Sequence, residues 1–345
     1  MNTQFMHLVK NQSPANFAMV MSTGIVSIAL HLLEYPHAAL GLFFVNIFMW
    51  LVLACTYTLR AVVYPRAFFD DFADHNKGPG YLTIVAGTCI LGNQFALFCG
   101  DYLTAQALLL LSLILWFLCL WGIFFALFTR PDKPSVDHGI NGAWLVATVS
   151  TQALVILGVI CIGHTAWDTD TVFVLLVALF GLGFMLYIIM ITMIFYRFCY
   201  KSLSAAQLSP TFWINAGAMA ITTLAGAELI LHAPLSPFVT HVLPFLYGTT
   251  LMAWATATWW IIMLILLGFW RHIGQKFPFN YEAGYWGMVF PMGMYTACTY
   301  TLAEALDLPS LLVVPESFIG VALIAWLTTT YGMCAMLIRR LGEKN

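Results

Sequence analysis

Charge is what this sequence has least of. Only 8% of its 345 residues are Asp, Glu, Lys or Arg, while 61% are hydrophobic; soluble domains carry about 25% charged residues. That much apolar surface has no place in a soluble fold, so the chain reads as a polytopic membrane protein whose first partner is the lipid bilayer. A net charge of -2 gives nucleic acid nothing to bind. The 8 cysteines are scattered and form no CxxC pair, which argues against a disulfide framework and a thiolate metal site. HExxH, GxSxG and Walker A sequences are all missing. The histidines fall in loops or at segment ends, away from the bundle interior where an axial haem ligand stands. No enzymatic centre, cofactor or metal is therefore expected. A charged n-region and a cleavage site are also missing ahead of the first apolar run, which reads as a retained helix and not a signal peptide. No polar stretch is long enough for a soluble domain, so residues 1–345 are expected to form a single transmembrane domain.

What the chain does have is ten apolar runs, each about the 20 residues that span a bilayer. They cover residues 14–33, 38–63, 80–99, 103–129, 141–163, 169–196, 209–232, 238–269, 282–305 and 313–338. The loops between them sort the charges. Lys10, Arg60, Arg66, Lys77, Arg130, Lys133, Arg197, Lys201, Arg271, Lys276, Arg339, Arg340 and Lys344 all fall on one side, and these are all 13 basic residues. The other side holds Glu34, Asp101, Asp168, Asp170, Asp307 and Glu316. Positive charge is retained in the cytoplasm. Both termini are thus predicted cytoplasmic, in a plasma (inner) membrane protein with an even number of helices.

The odd segments recur every 60–73 residues or so, each preceded by polar or helix-breaking residues such as Ser13-Pro14, Gly78-Pro79-Gly80 or Ser209-Pro210. The pattern predicts five helical hairpins closing into a ring. Odd segments also carry most of the small and hydroxyl residues: Ser22 and Thr23, Gly87 and Thr88, Thr148, Thr222 and Thr223, Thr296. Even segments 4 and 6 are nearly unbroken Leu, Ile, Phe and Trp. Two readings fit. Small residues let helices pack closely, or an inner wall surrounds an aqueous path. The alternation favours the second.

Segment 9 is the least regular, with YWGMVFPMGMYTACT at Tyr285–Thr299. Pro291 removes a helical hydrogen bond, Gly287 and Gly293 flank it, and Phe290 projects a large ring from the same turn. In lipid, freed backbone groups must face protein or water, so this helix is expected to line something. No Lys or Arg sits mid-segment, which favours a low-affinity, high-throughput path over tight anion binding. Glu228, about a turn inside the outer end of segment 7, reads as a vestibule residue. Arg60 and Arg197 read as snorkelling interfacial anchors.

PANFAMVMSTGIVSIA at Pro14–Ala29 and the W-x-x-x-F-P-[LM] stretch at Trp286–Met292 resemble the tellurite-resistance/dicarboxylate transporter family. That family includes bacterial tellurite-resistance protein A, fungal malic-acid permeases and sulfite exporters, and the slow-type anion channels of plant guard cells. The resemblance spans essentially the whole chain. It implies an all-α ring of five hairpins, with odd helices lining a central pore, even helices outside, and a homotrimer. It also implies a phenylalanine plug on helix 9, here Phe290, that swings aside to open the path. The substrates it implies are small inorganic or organic anions, moved either through a channel or by a proton-coupled carrier for C4-dicarboxylates (malate) or sulfite.

Overall fold

The computed structural model describes residues 3–165 and 167–342. Lys344 and the side chain of Arg340, both placed on the basic side above, lie outside what is described. Among the described residues the secondary structure is helical, with no strand.

Ten long helices follow one another: α1 (Ala18–Leu32), α2 (Pro36–Val63), α3 (Thr83–Cys99), α4 (Tyr102–Thr129), α5 (Val146–Cys161), α6 (Thr169–Tyr200), α7 (Ile214–Leu231), α8 (Pro237–Phe269), α9 (Trp286–Ala305) and α10 (Val313–Gly342). Among the described residues, nine of these helical stretches are long and apolar enough to cross a membrane. The exception is α9, whose 20 residues include Gly287, Pro291, Gly293, three threonines and Glu304.

Every odd helix is entered through a short 3₁₀ turn: Pro14–Phe17, Gly78–Leu82, Gly142–Leu145, Pro210–Trp213 and Ala283–Tyr285. Three of them carry proline in the first positions, where its fixed φ suits a helix start and its missing N–H costs nothing. Even helices α4 and α6 start instead on aspartate caps. Asp101 accepts from the Thr104 amide at 3.0 Å and Asp168 from the Thr171 amide at 2.9 Å.

The two sets of helices differ in burial. Nearly all of α1, α3, α5, α7 and α9 is buried. The even helices bury one stripe and expose rings and aliphatic chains such as Phe48, Phe117, Ile189, Ile262 and Ile324, as suits a face turned to acyl chains. Among the buried five, α1 packs on α3, α3 on α5, α5 on α7, α7 on α9, and α9 on α1. The entry turns touch one another in the same order, Ala283–Tyr285 returning to Pro14–Phe17. Their approach is close: a Cβ on Gly142 would stand 2.0 Å from the Thr211 carbonyl oxygen, so only glycine fits there.

Arginines on the basic face staple hairpins together. Arg60 donates to the Lys10 carbonyl at 3.1 Å and to Asp71 at 2.5 Å. Arg130 donates to the Ala73 carbonyl at 2.7 Å, and Arg197 to the Ile140 carbonyl. In each case the guanidinium at the end of an even helix holds a carbonyl ahead of the odd helix of its own hairpin, and Arg60 also reaches Asp71 ahead of the next hairpin. Arg60 and Arg197 are 2% and 6% exposed, so they are not the snorkelling anchors their position suggested. The planar guanidinium can satisfy several carbonyls at once and remain inside.

Candidate functional site

Phe290 sits in the second turn of α9 and is 1% exposed. Its ring lies against α7 where that helix has no side chain: a Cβ on Gly217 would stand 3.0 Å from Cδ1 and Cε1 of Phe290 and 2.9 Å from Cγ of Pro291. Pro291 offers no N–H to the Gly287 carbonyl one turn back. Gly287 has no neighbour closer than 3.6 Å to a notional Cβ, whereas at Gly293 the Val26 side chain of α1 stands at 2.9 Å. The turn holding Phe290 thus has a loosely packed side before it and a tightly packed one after it.

One turn further along the same face, at Met294, a cavity of about 60 Å³ opens. All five buried helices wall it in three tiers. Ile25, Ile90, Ala153, Ile221 and Met294 form the first; Ile28, Asn93, Ile156, Leu224 and Ala297 the second; Leu32, Leu97, Ile160, Glu228 and Thr301 the third. The tiers fall eleven, fourteen and eighteen residues on from Pro14, Pro79, Gly142, Pro210 and Ala283 in turn. Seven residues on from the same five positions come Met21, Ala86, Val149, Gly217 and Phe290, the tier beneath. Phe290 is the one ring in that tier. The cavity has room for a few waters, and its third tier lies toward the face of Glu34, Asp101 and Asp307.

None of the hydroxyl residues expected on a pore wall is among the lining residues of this cavity. Ser22 donates to the Trp286 carbonyl at 2.6 Å, tying α1 to α9. Thr222, Thr223 and Thr296 donate to the carbonyls of Ala218, Met219 and Met292, four residues back on their own helices. Thr148 Oγ1 is buried without a partner among the described residues. At Gly87 a Cβ would meet Val20 at 3.2 Å, so this position serves α1–α3 contact.

Thr23 and Thr88 face outward, to tryptophans of even helices. Trp326 of α10 donates its indole N–H to Thr23 of α1 at 3.0 Å, and Trp50 of α2 donates to Thr88 of α3 at 3.0 Å. Trp116 of α4 reaches Thr151 of α5 at 2.9 Å, and Trp254 of α8 reaches Thr299 of α9 at 3.0 Å. At the remaining junction Tyr187 of α6 donates to the Asn215 carbonyl of α7 at 3.3 Å. Each bond ties an even helix to the odd helix of the next hairpin, and the one from α10 returns to α1.

Of the sequence-predicted residues, then, Glu228 stands on the cavity wall and Phe290 one turn beneath it, while Ser22, Thr23 and Thr88 bond to neighbouring helices. The wall itself was missed because its residues are Ile, Leu, Ala and Met, which look like any packing residues. The signal that exposes them is their constant offset from the five entry turns.

Among the described residues no group of three or more His, Cys, Asp or Glu side chains stands together as a metal site. Sequence comparison matches residues 11–334 to the family model described as voltage-dependent anion channel. Two uncharacterized transporters of Methanocaldococcus jannaschii are each 26% identical to this chain. One aligns over 300 residues, 85% of this chain and 84% of the relative, and the other over 299 residues, 85% of each. An uncharacterized membrane protein of Mycobacterium tuberculosis is 33% identical over 160 residues, 46% of this chain and 81% of that protein. Entry turns in mutual contact, five inward helices and a match running through nearly the whole sequence lead to one conclusion: this chain belongs to the voltage-dependent anion channel family, a family of membrane transport proteins.

Proposed function

We propose that this protein carries small anions across the plasma (inner) membrane through a central path between α1, α3, α5, α7 and α9, and that Phe290 occludes that path. The observation that carries this reading is the cavity walled by all five helices with Phe290 one turn beneath it. In this reading all ten helices span the bilayer, α9 included, because its polar and small residues are enclosed by protein. The five hairpins form a ring, both termini lie in the cytoplasm, and subunits associate as homotrimers.

A wall of Ile, Leu, Ala and Met with no fixed cation binds anions weakly, and weak sites let ions leave quickly. That favours channel-like conduction. The path opens when the Phe290 ring leaves the space over Gly217, with Gly287, Pro291 and Gly293 taking up the backbone change. A tellurite phenotype would follow from anion permeability as a side effect. The second reading, a proton-coupled carrier for malate or sulfite, is favoured by Glu228, a carboxyl on the cavity wall.

The test is anion flux through reconstituted protein. Phe290→Ala is expected to raise nitrate and chloride flux at least about tenfold over wild type, equivalent to about 1.4 kcal/mol of barrier. Equal flux in both, with the variant folded and inserted, would remove Phe290 from the path. Flux that saturates and requires a pH gradient would favour the carrier.

A further inference from the structure

Three polar side chains interrupt the apolar wall of the cavity: Asn93 on α3, Glu228 on α7 and Thr301 on α9. Glu228 is the one charged group among the cavity's lining residues. Anything crossing the cavity passes it, and nothing on the wall opposes its charge. Asn93 is 4% exposed, and its Oδ1 is buried without a partner among the described residues. That oxygen is an acceptor which a passing water can satisfy, and the NH2 of the same amide is the donor an anion can use.

We propose that Glu228 is a proton-operated filter on the anion path. As a carboxylate it repels anions from the cavity. As a neutral carboxyl it joins the Asn93 amide and the Thr301 hydroxyl in a neck of uncharged hydrogen-bonding groups that a small monoanion can cross. This rests on the path proposed above and adds its regulation. Acid on the face bearing Glu34 and Asp307 opens the path, and neutral or basic pH there closes it. The ligand class is small monovalent anions, nitrate and chloride serving as probes.

The groups around Glu228 fit this role. His232, one turn later on α7, has Nδ1 3.6 Å from a carboxylate oxygen of Glu228 and donates to its backbone carbonyl at 2.9 Å. It adds positive charge when protonated, which aids anions in the same pH direction. Glu304 on α9 is a second acid near Glu228, and beyond it stand Tyr300 and Glu34. The cavity's lining residues from α1, α3 and α5 contribute no charged side chain. On α8 and α6, His241 donates to the Pro237 carbonyl and Asp170 accepts from Ser236, so each is already engaged elsewhere. Among the described residues no arginine or lysine forms an ion pair with Glu228.

The experiment uses the full-length chain in liposomes, with Phe290→Ala supplying measurable flux. Nitrate and chloride fluxes are read between pH 8 and pH 5 on the Glu34 face. In Phe290→Ala the flux should rise about tenfold or more toward pH 5, the scale expected for removing one charge a few ångströms from an ion in a medium of intermediate dielectric. Adding Glu228→Gln should hold flux high at every pH, and Glu228→Asp should restore the slope. Phe290→Ala with an unchanged pH profile after Glu228→Gln overturns the filter and leaves the path standing. A profile that survives Glu228→Gln and vanishes with His232→Gln also overturns it, in favour of the histidine. Silence of Phe290→Ala and of the double variant at every pH overturns path and filter together.

Discussion

At the scale of single residues, Phe290 and Gly217 are two halves of one fit. The ring occupies space that only a missing side chain provides, with Pro291 held against the same spot. Gly217→Ala is expected to cost about 1–3 kcal/mol by overpacking, seen as a lower thermal midpoint in detergent. Placed in a Phe290→Ala background, much of that cost should disappear, because the ring it strikes is gone. Additive losses in the double variant would separate the two residues. Phe290 itself stood out in the sequence through the broken turn around it, and its role came from resemblance. Gly217 did not stand out, since nothing in GAMAITTLAG marks one glycine as the seat of a ring 73 residues away.

At the scale of elements, the even and odd helices are joined by aromatic side chains reaching inward. Trp326→Phe keeps the ring, removes the indole N–H and costs Thr23 its tryptophan partner. A loss of about 1–3 kcal/mol is expected, measured as a shift in thermal midpoint. Combining it with Thr23→Val should cost less than the two changes added separately.

The aspartate caps give a pH signature of their own. Hydroxyl bonds from Thr104 and Thr171, followed by their amide N–H groups, hold the carboxyls of Asp101 and Asp168 below the usual carboxylate range. A lowered value means stability that is complete above the ordinary carboxylate pKa and is lost as pH falls through the lowered one. Thermal midpoints measured from pH 7 to pH 3 should fall on the acid side, and Asp101→Asn with Asp168→Asn should flatten that limb. A midpoint as steep in the double variant would assign the acid sensitivity elsewhere.

The alternation of helix type was legible because burial on all sides and burial on one stripe leave different compositions. The destination of the hydroxyls was not legible. A threonine that back-bonds to its own helix, one that meets a tryptophan and one that lines water are identical in sequence.

At the scale of the whole molecule, the charge split orders the two faces. Lys77 lies on the basic side and Leu308 on the acidic side, both exposed. With the native exposed cysteines Cys55, Cys99, Cys199 and Cys334 replaced, a membrane-impermeant thiol reagent should label Leu308→Cys in intact cells. Lys77→Cys should react only after permeabilisation. The reverse pattern would invert the protein in the membrane. The all-helical membrane architecture could be read directly from composition and loop charge. The inner wall could not, because five unlike stretches share an offset from a turn and no common residue type.

The contact order that returns to its start also bears on how the protein is made. Thr23 waits for Trp326, 303 residues later, and Ser22 for the backbone of Trp286, 264 residues later. During synthesis the first helix therefore enters the bilayer with one flank unclaimed, and keeps it so until the last hairpin emerges. Bringing such distant partners together carries the loop-closure entropy of nearly the whole chain. A ribosome halted before α9 would leave α1 and α7 each missing a neighbour. Quality control has a ready mark to read there: until the final hairpin docks, the nascent protein displays a seam, and completion of the chain is what hides it.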